Sequence, residues 1–258
     1  MSEKGLVIDD KRLLLPTIDV NFNFTCDCAY WDSYDNHRSD TDPDIHSPTL
    51  RLYQQILYSR QTPSGQFLQL EQGKNAQYDY LVCDGRRFAS DNIINMFERY
   101  KMPWPRELEI ENYNERIKGY KQASYVLGGE IIFPKHQDSI NQCRGINDKI
   151  LDRFDLTLEC IKRFYEGKPN PLNDVLSADK EFFDLFVDFP GYVNFFFLDD
   201  LISPDSGRVK LFLGDDNDVF MRSPMPQNKQ EWDVLHERQM DFLQQRTNRI
   251  KQFITADL

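Results

Sequence analysis

The polar residues that could do chemistry are densest in the middle of the chain. Asn141 and Arg144 lie just before a stretch, 146–165, whose apolar residues recur with the period of a helix. The N-terminus of a helix offers free N–H groups and a partial positive charge, which together with an arginine suit an anion such as phosphate. The pattern predicts a phosphate- or nucleotide-type anion site at 141–159, with Asn141, Arg144 and Arg153 as ligand-binding residues.

Acidic residues recur every three or four positions along the same predicted helix, at Asp148, Asp152, Asp155 and Glu159. That spacing would place their carboxylates along one helix face. We therefore consider Asp152, Asp155 and Glu159 as candidate catalytic residues, which would bind a divalent cation or act as a base beside the anion.

The same residues also fit a purely structural interpretation. Carboxylates near basic residues are typical of a solvated helix face, and Glu159 with Arg163 forms an ordinary i,i+4 pair. Asp152 suits an early helix turn, and a buried network of Arg153 with Asp155 would serve the fold alone. Both interpretations remain open at the level of sequence.

The other motifs are weaker. Residues 40–44 resemble the start of a calcium loop, but Ile45 and Arg51 replace the glycine and glutamate that such a loop needs. The four histidines are isolated or flank that loop, and the five cysteines lack zinc-site spacing, so free thiols are expected. No nucleotide-binding glycine loop, nucleophile elbow or zinc-protease motif occurs. We predict no metal site and identify no cofactor.

The net charge of −11, from 31 basic and 42 acidic residues, is unevenly distributed. Residues 115–168 carry a net charge of +2, whereas 1–114 carry −6 and 169–258 carry −7. The overall acidity argues against extensive nucleic-acid binding, while the mildly basic middle leaves room for a small anionic ligand.

The length and composition indicate a folded protein without membrane spans. The chain has 258 residues, of which 40% are apolar and 13% aromatic. No run reaches the roughly 18 apolar residues that a transmembrane helix needs. The first residues lack the order of a signal peptide, so we expect a cytoplasmic protein.

Hydrophobic periodicity and turn residues outline the elements. Strands are expected at 17–25, 67–70, 78–83, 127–133 and 209–213. Helices are expected at 47–59, 92–100, 106–125, 146–165, 177–186, 190–202 and 229–254, with a surface loop at 32–46. This mixture predicts an α+β fold in which a mixed short sheet is packed by several helices. We expect a single compact domain over 1–258, with a possible seam near 102–105.

Two local signals bear directly on the candidate site. Ser47 followed by Pro48 supplies an N-cap and a first-turn proline for the first predicted helix. Gly128 and Gly129, just before a buried strand, allow the backbone to approach another group closely.

Long segments of the chain resemble a bacterial family known as a domain of unknown function. They are SPTLRLYQQILYSRQTPSGQFLQL, YVLGGEIIFP, SINQCRGINDKILDRFDLTLECIKRFY and FFDLFVDFPGYVNFFFLDDL, which span about residues 47–213. Where this chain has Leu57-Tyr58-Ser59-Arg60, the family tends to have Leu-Trp-Ser-Lys. The resemblance implies bacterial origin and one conserved fold, and it brings no established activity.

Two functional hypotheses follow. One is an enzyme that handles a phosphate ester or nucleotide at 141–159. The other is a non-catalytic interaction or regulatory module with an acidic surface, suggested by the missing catalytic motif and the long polar helices at 106–125 and 229–254. Whether the chain is an enzyme, and whether its partner is a small anion or a protein, depends on whether the polar residues of 146–165 converge on a cleft.

Overall fold

The computed structural model describes residues 13–28, 42–73, 80–94, 111–144, 149–214 and 225–256. It confirms an α+β fold, in which helices pack on a four-stranded antiparallel sheet whose strands are neighbours in chain order. The strands are β1 (Glu71–Gln72), β2 (Leu81–Cys83), β3 (Arg86–Asn92) and β4 (Glu130–Pro134). The helices are α1 (Pro43–His46), α2 (Pro48–Tyr58), α3 (Tyr113–Ser124), α4 (Ile140–Cys143), α5 (Phe154–Tyr165), α6 (Asn173–Ala178), α7 (Lys180–Asp184), α8 (Phe189–Phe195) and α9 (Lys229–Ala256).

The pairing of β3 with β4 forms the most buried part of the sheet, although β4 is an edge strand. Asp91 lies opposite Ile131, and Asn92 lies opposite Glu130. Opposite residues of an antiparallel pair point to the same face, and successive residues point to opposite faces. The end of β3 therefore sends Asp91 to one face of the sheet and Asn92, with Glu130, to the other.

Helix α2 forms as its capping residues predict. The Ser47 Oγ accepts a hydrogen bond from the backbone N–H of Leu50 at 3.0 Å, and Pro48 occupies the first turn. Leu50 and Leu57 on its inner face are fully buried. The N-cap and the apolar stripe thus agree on where this helix begins and which face it buries.

The glycines before β4 allow a close approach, as the sequence predicts. A Cβ on Gly128 would lie 2.0 Å from the Oγ1 of Thr247, and a Cβ on Gly129 would lie 1.9 Å from the backbone oxygen of Ser124. Gly128 therefore lets α9 approach the start of β4, and Gly129 leaves room for the end of α3.

Arg246 of α9 joins the elements that meet at this contact. Its side chain is fully buried and donates to the backbone oxygens of Gly128 at 2.6 Å, Glu130 at 2.9 Å and Phe196 at 3.1 Å. Its Nη2 also donates to the hydroxyl of Tyr58 at 3.1 Å. One guanidinium therefore binds α9 to α2, to the start of β4 and to the end of α8.

The strand predicted over 17–25 is wrong. The chain instead forms single 3₁₀ turns at Leu15–Thr17 and Phe24–Cys26. Ile18 and Val20 are nevertheless buried, as their alternation predicts. Among the described residues this segment pairs with no strand: its backbone turns locally, and the N–H of Phe24 binds the backbone oxygen of Tyr125 at 2.9 Å. The alternation of apolar and polar residues therefore indicates which side chains are buried here, but not a strand.

The helix predicted over 92–100 is wrong at its start. Ser90 and Asp91 are residue types that can cap a helix beginning at Asn92, but both lie inside β3, which ends at Asn92. Ladder hydrogen bonds with β4 outweigh the local capping signal, because a buried strand needs partners for all its backbone groups. Residues 95–100, like the possible seam at 102–105, lie outside the described part of the chain.

The prediction of helix over 146–165 is wrong for residues 149–153, which are not helical, and α5 begins at Phe154; residues 146–148 lie outside the described part of the chain. Arg153 has extended backbone angles, and a parallel bridge joins Arg144 to Ile150. Ile150 is buried although it lies in a loop, and its position in the apolar pattern therefore predicted one more helical turn than the structure has. This correction removes the helix N-terminus from beside Arg144.

Smaller differences concern element bounds. The sheet begins at Glu71 rather than at 67–70, residues 209–213 make one bridge between Val209 and Ile202, and 177–186 divides between α6 and α7. The loop at 32–46 contains α1, for which Asp42 supplies the N-cap. In the predicted helix 106–125, helical structure is described for 113–124. Residues 78–79, 106–110 and the first part of 32–46 lie outside the described residues.

The prediction of helix over 190–202 is confirmed by α8 and a 3₁₀ turn at Asp199–Leu201. The Oδ1 of Asp188 accepts from the N–H of Gly191 at 2.8 Å and caps α8. Aromatic residues of this region pack among themselves, with ring centroids of Phe186 and Phe195 5.0 Å apart. Many of the aromatic residues of the sequence therefore belong to the hydrophobic core.

Buried apolar residues from Leu15 to Ile254 belong to one contiguous core cluster. The single-domain organisation stays a prediction, which this continuity supports. In the described portions of the chain, no helix is both long and apolar enough to cross a membrane.

We predict that Arg246→Lys lowers the free energy of unfolding by about 2–4 kcal/mol, because an ammonium cannot reproduce the four hydrogen bonds of the planar guanidinium. Arg249→Lys is the matched control on α9. Its partner Asp200 lies in a partly exposed ion pair at 2.7 Å, which should contribute no more than about 1 kcal/mol.

Urea unfolding followed by circular dichroism measures both effects. Tyr58→Phe, which deletes one acceptor only, should cost about 1 kcal/mol and covers the case in which the lysine variant does not fold. Equal stability of the Arg246 and Arg249 variants would contradict the role of Arg246.

Candidate functional site

The structure separates the predicted site residues into three groups. Asn141 lies on α4, and Arg144 and Asp152 lie in the irregular segments that follow it. Arg144 and Asp152 are brought together, with 3.5 Å between the Nη1 and the Oδ1. The other three predicted residues have partners elsewhere in the fold.

Arg144 is a buried cation with carboxylates beside it. It is 2% exposed and forms an ion pair with Asp91 as well as with Asp152. Its Nη1 also donates to the Oγ1 of Thr157 at 3.4 Å. Burial lowers the pKa of Arg144, and the negative charge of Asp152 opposes that shift. The carboxylates keep the guanidinium charged in the interior.

Several buried polar atoms in and around α4 lack a hydrogen-bond partner among the described residues. Among the residues that the structure describes, none hydrogen-bonds with the Nε of Arg144, the Oγ of Ser139 or the Oδ1 of Asn141. Ser139 is fully buried, and the Nδ2 of Asn141 makes only a long contact of 3.5 Å with the backbone oxygen of Ser90. A buried polar group without a partner costs about 1–3 kcal/mol, so each such atom calls for water or a ligand.

Arg153 and Asp155 form a fully buried bidentate pair. The Nε of Arg153 donates to the Oδ1 of Asp155 at 3.1 Å, and its Nη2 contacts the Oδ2. The pair also binds the backbone beyond it: the Oδ2 of Asp155 accepts from the N–H of Phe212 at 2.7 Å, and Arg153 donates to the oxygen of Leu213 at 3.1 Å. These two predicted site residues hold the segment 212–213 in place.

Glu159 is paired within its own helix. The Nε of Arg163 donates to the Oε1 of Glu159 at 2.7 Å. Of the acidic stripe, only Asp155 and Glu159 lie on α5, and Asp148 lies outside the described residues. The stripe predicted along one helix face is therefore wrong, because the helix begins after Asp152.

A second polar group, which sequence reasoning missed, lies at the end of β3. The backbone N–H of Asn92 donates to the Oδ2 of Asp44, and its Nδ2 donates to the Oε1 of Glu130, both at 3.0 Å. The carboxyl groups of Asp44 and Glu130 influence each other's pKa, and the Oδ1 of Asp44 and the Oε2 of Glu130 have no hydrogen-bond partner among the described residues. Burial, followed by the charge of Asp42, raises the pKa of Asp44 to about 7.

Glu130 is the protonated member of this pair. It is fully buried, and desolvation, followed by the charge of Asp44, raises its pKa well above the ordinary value. Two carboxyls in contact cannot both ionise at low cost, so they share a proton. An acidic residue between Gly128-Gly129 and the buried run Ile131–Phe133 was the available sequence signal.

No metal site accompanies these residues. Within the described ranges, no three histidine, cysteine or acidic side chains lie close enough together to hold an ion. All five cysteines are free, as expected. His236 is fully buried, and desolvation lowers its pKa to about 4, which marks it as a neutral core histidine.

Comparison with known proteins identifies a family and no individual relative. The model of a family described as "Family of unknown function (DUF6994)" matches residues 18–250. No curated protein and no solved structure matches the chain.

The raised pKa of Asp44 predicts that the free energy of unfolding falls as pH rises from about 4 to about 7. The unfolded carboxyl ionises near 3.8, whereas the folded one holds its proton up to about 7, so the folded state binds more protons in that window. Asp44→Asn should weaken this decline, giving a difference of at least about 1 kcal/mol across the window.

Urea unfolding at stepped pH measures the slope for wild type and variant. His236 contributes in the opposite direction, with stability rising between about 4 and 6.5, and it cancels in the comparison because both proteins contain it. Asp205→Asn, at an exposed position, is the control and should follow wild type. A parallel profile for Asp44→Asn would disprove the shared proton.

Proposed function

The chain belongs to the DUF6994 family, whose description names no activity, and we propose from the geometry that it binds a small anion against Arg144. The observation that carries the proposal is the set of buried atoms without partners: the Nε of Arg144, the Oγ of Ser139 and the Oδ1 of Asn141. Two of these three groups are donors. A ligand with acceptor oxygens would satisfy them where no described residue does.

The charges around Arg144 restrict the class of ligand that could bind there. Asp91 and Asp152 together carry more negative charge than the one guanidinium offsets, so each further negative charge on a ligand is costly and a polyphosphate is disfavoured most. The geometry favours a single carboxylate or hydrogen phosphate group over a nucleoside triphosphate. Asp152, which is 20% exposed beside the guanidinium, would accept a hydrogen bond from the protonated oxygen of a hydrogen phosphate.

Of the other predicted site residues, only one belongs to the proposed anion site. Asn141 is retained as a ligand-binding residue. Arg153, Asp155 and Glu159 are not, because their charged groups are engaged by the ion pairs and backbone contacts already described. A cytoplasmic location and bacterial origin, which the sequence suggested, remain part of the proposal.

Calorimetric titration with inorganic phosphate, acetate, adenosine monophosphate and adenosine triphosphate tests the site. Phosphate or acetate should bind wild type more tightly than the triphosphate does. Ser139→Ala should weaken the binding of both ligands, whereas Asn141→Ala, which removes an amide oxygen that only accepts, should weaken the binding of hydrogen phosphate but not of acetate. Each effect should be about fivefold to tenfold, which corresponds to one lost hydrogen bond of about 1 kcal/mol.

Ser177→Ala is the matched control, since the exposed Ser177 bonds only within α6, to the backbone oxygen of Asn173 at 2.6 Å. Thermal unfolding of each variant shows whether it is folded before titration. Binding of none of the four probes, or equal affinity of wild type and both site variants, would overturn the proposal and favour the non-catalytic interaction module.

A further inference from the structure

The proposed anion site contains hydrogen-bond acceptors as well as donors, and their balance restricts its ligand further. The donors are the Nε of Arg144 and the hydroxyl of Ser139, which is fully buried and does not cap α4. The acceptors are the Oδ1 of Asn141 and the carboxylate of Asp152. An anion that has only acceptor oxygens would satisfy the donors but not the acceptors.

The amide of Asn141 is oriented by its contact with β3. Its Nδ2 faces the backbone oxygen of Ser90 at 3.5 Å, and turning the amide over would bring two acceptor oxygens together instead. The Oδ1 therefore points away from that oxygen, in a buried position where no residue among those described donates to it. A ligand with an O–H group would supply the missing donor.

Asp152 is held beside Arg144 by the backbone. A parallel bridge joins Arg144 to Ile150, two residues before Asp152, and the Oδ1 of Asp152 lies 3.5 Å from the Nη1 of Arg144. The side chain of Asp152 is 20% exposed, and the two oxygens of a carboxylate can accept about four hydrogen bonds. Asp152 can therefore accept from a ligand while it compensates the guanidinium.

The charges in the site favour a ligand with a single negative charge. Arg144 is one cation, and both Asp91 and Asp152 form ion pairs with it. Each further negative charge that is placed among them in a buried position is costly. A ligand that keeps its protons gains twice, because the protons lower its charge and donate to the two acceptors.

We propose that the ligand is inorganic phosphate in its singly charged form, dihydrogen phosphate, a refinement that rests on the proposed function at Arg144. This ion has two O–H groups and two unprotonated oxygens. The O–H groups donate to Asn141 and Asp152, and the unprotonated oxygens accept from Arg144 and Ser139. Sulfate, which has no O–H group in neutral solution, leaves both acceptors unsatisfied.

Calorimetric titration of the full chain with three ligands of equal charge tests the proposal. At about pH 5, phosphate, methyl phosphate and dimethyl phosphate each carry one negative charge, since a phosphate monoester loses its second proton only at about pH 6. They have two O–H groups, one and none. Each lost O–H group should weaken binding by about fivefold to tenfold, and sulfate should bind no more tightly than dimethyl phosphate.

Two substitutions distinguish lost hydrogen bonds from steric exclusion of the methyl groups. Asn141→Ala leaves one acceptor, so this variant should bind phosphate and methyl phosphate with equal affinity, whereas steric exclusion would keep the preference for phosphate. Ser139→Ala removes a donor that every ligand uses, so it should weaken all three by about fivefold to tenfold and keep their order. Asn248→Ala removes an exposed amide on α9 that accepts from Gln244 at 3.2 Å, and this matched control should bind like wild type.

The proposal is overturned if wild type binds the three phosphates with equal affinity, if sulfate binds as tightly as phosphate, or if Asn141→Ala still prefers phosphate over methyl phosphate. In those cases the anion site stands, and only its selectivity for a protonated phosphate is wrong. If none of the ligands binds, the anion site and its selectivity are both wrong. Thermal unfolding shows which variants are folded, and the wild-type series tests the proposal without them.

Discussion

The fold depends on the buried guanidinium of Arg246. It lies where α9 meets the start of β4, the end of α8 and the hydroxyl of Tyr58 on α2, and it donates a hydrogen bond to an oxygen of each. The contact is possible only because Gly128 leaves room for α9 to approach. A planar group with five donors suits such a junction better than an ammonium, since it reaches several elements at once.

Two of the three other buried arginines in the described residues are stabilised differently. Arg144 and Arg153 each have a carboxylate partner, as expected for charges removed from water. Both belong to the stretch 115–168, which is the mildly basic part of an acidic chain. Two of the positive charges that suggested an anion-binding surface therefore lie inside the protein, where carboxylates neutralise them. This is why the proposed ligand at Arg144 is a single small group rather than a polyphosphate or a nucleic acid.

Buried polar residues connect the fold to the proposed anion site. The end of β3 places Asp91 beside Arg144 on one face and Asn92 beside Asp44 and Glu130 on the other. The pair of Arg153 and Asp155, which the sequence offered as ligand-binding and catalytic residues, instead holds the backbone of Phe212 and Leu213 in place. Residue types that are suited to chemistry here stabilise the fold.

The sequence by itself determined the α+β class, the capped helix α2, the long helix α9 and the glycines at the α9 contact, because each depends on local capping, periodicity or steric freedom. Only the tertiary structure decided where α5 begins and which carboxylate meets which arginine. Ile150 is buried from a loop, and periodicity cannot distinguish that from another helical turn. Asp44, Asn92 and Glu130 are up to 86 positions apart, and they meet only because strand pairing and packing bring them together.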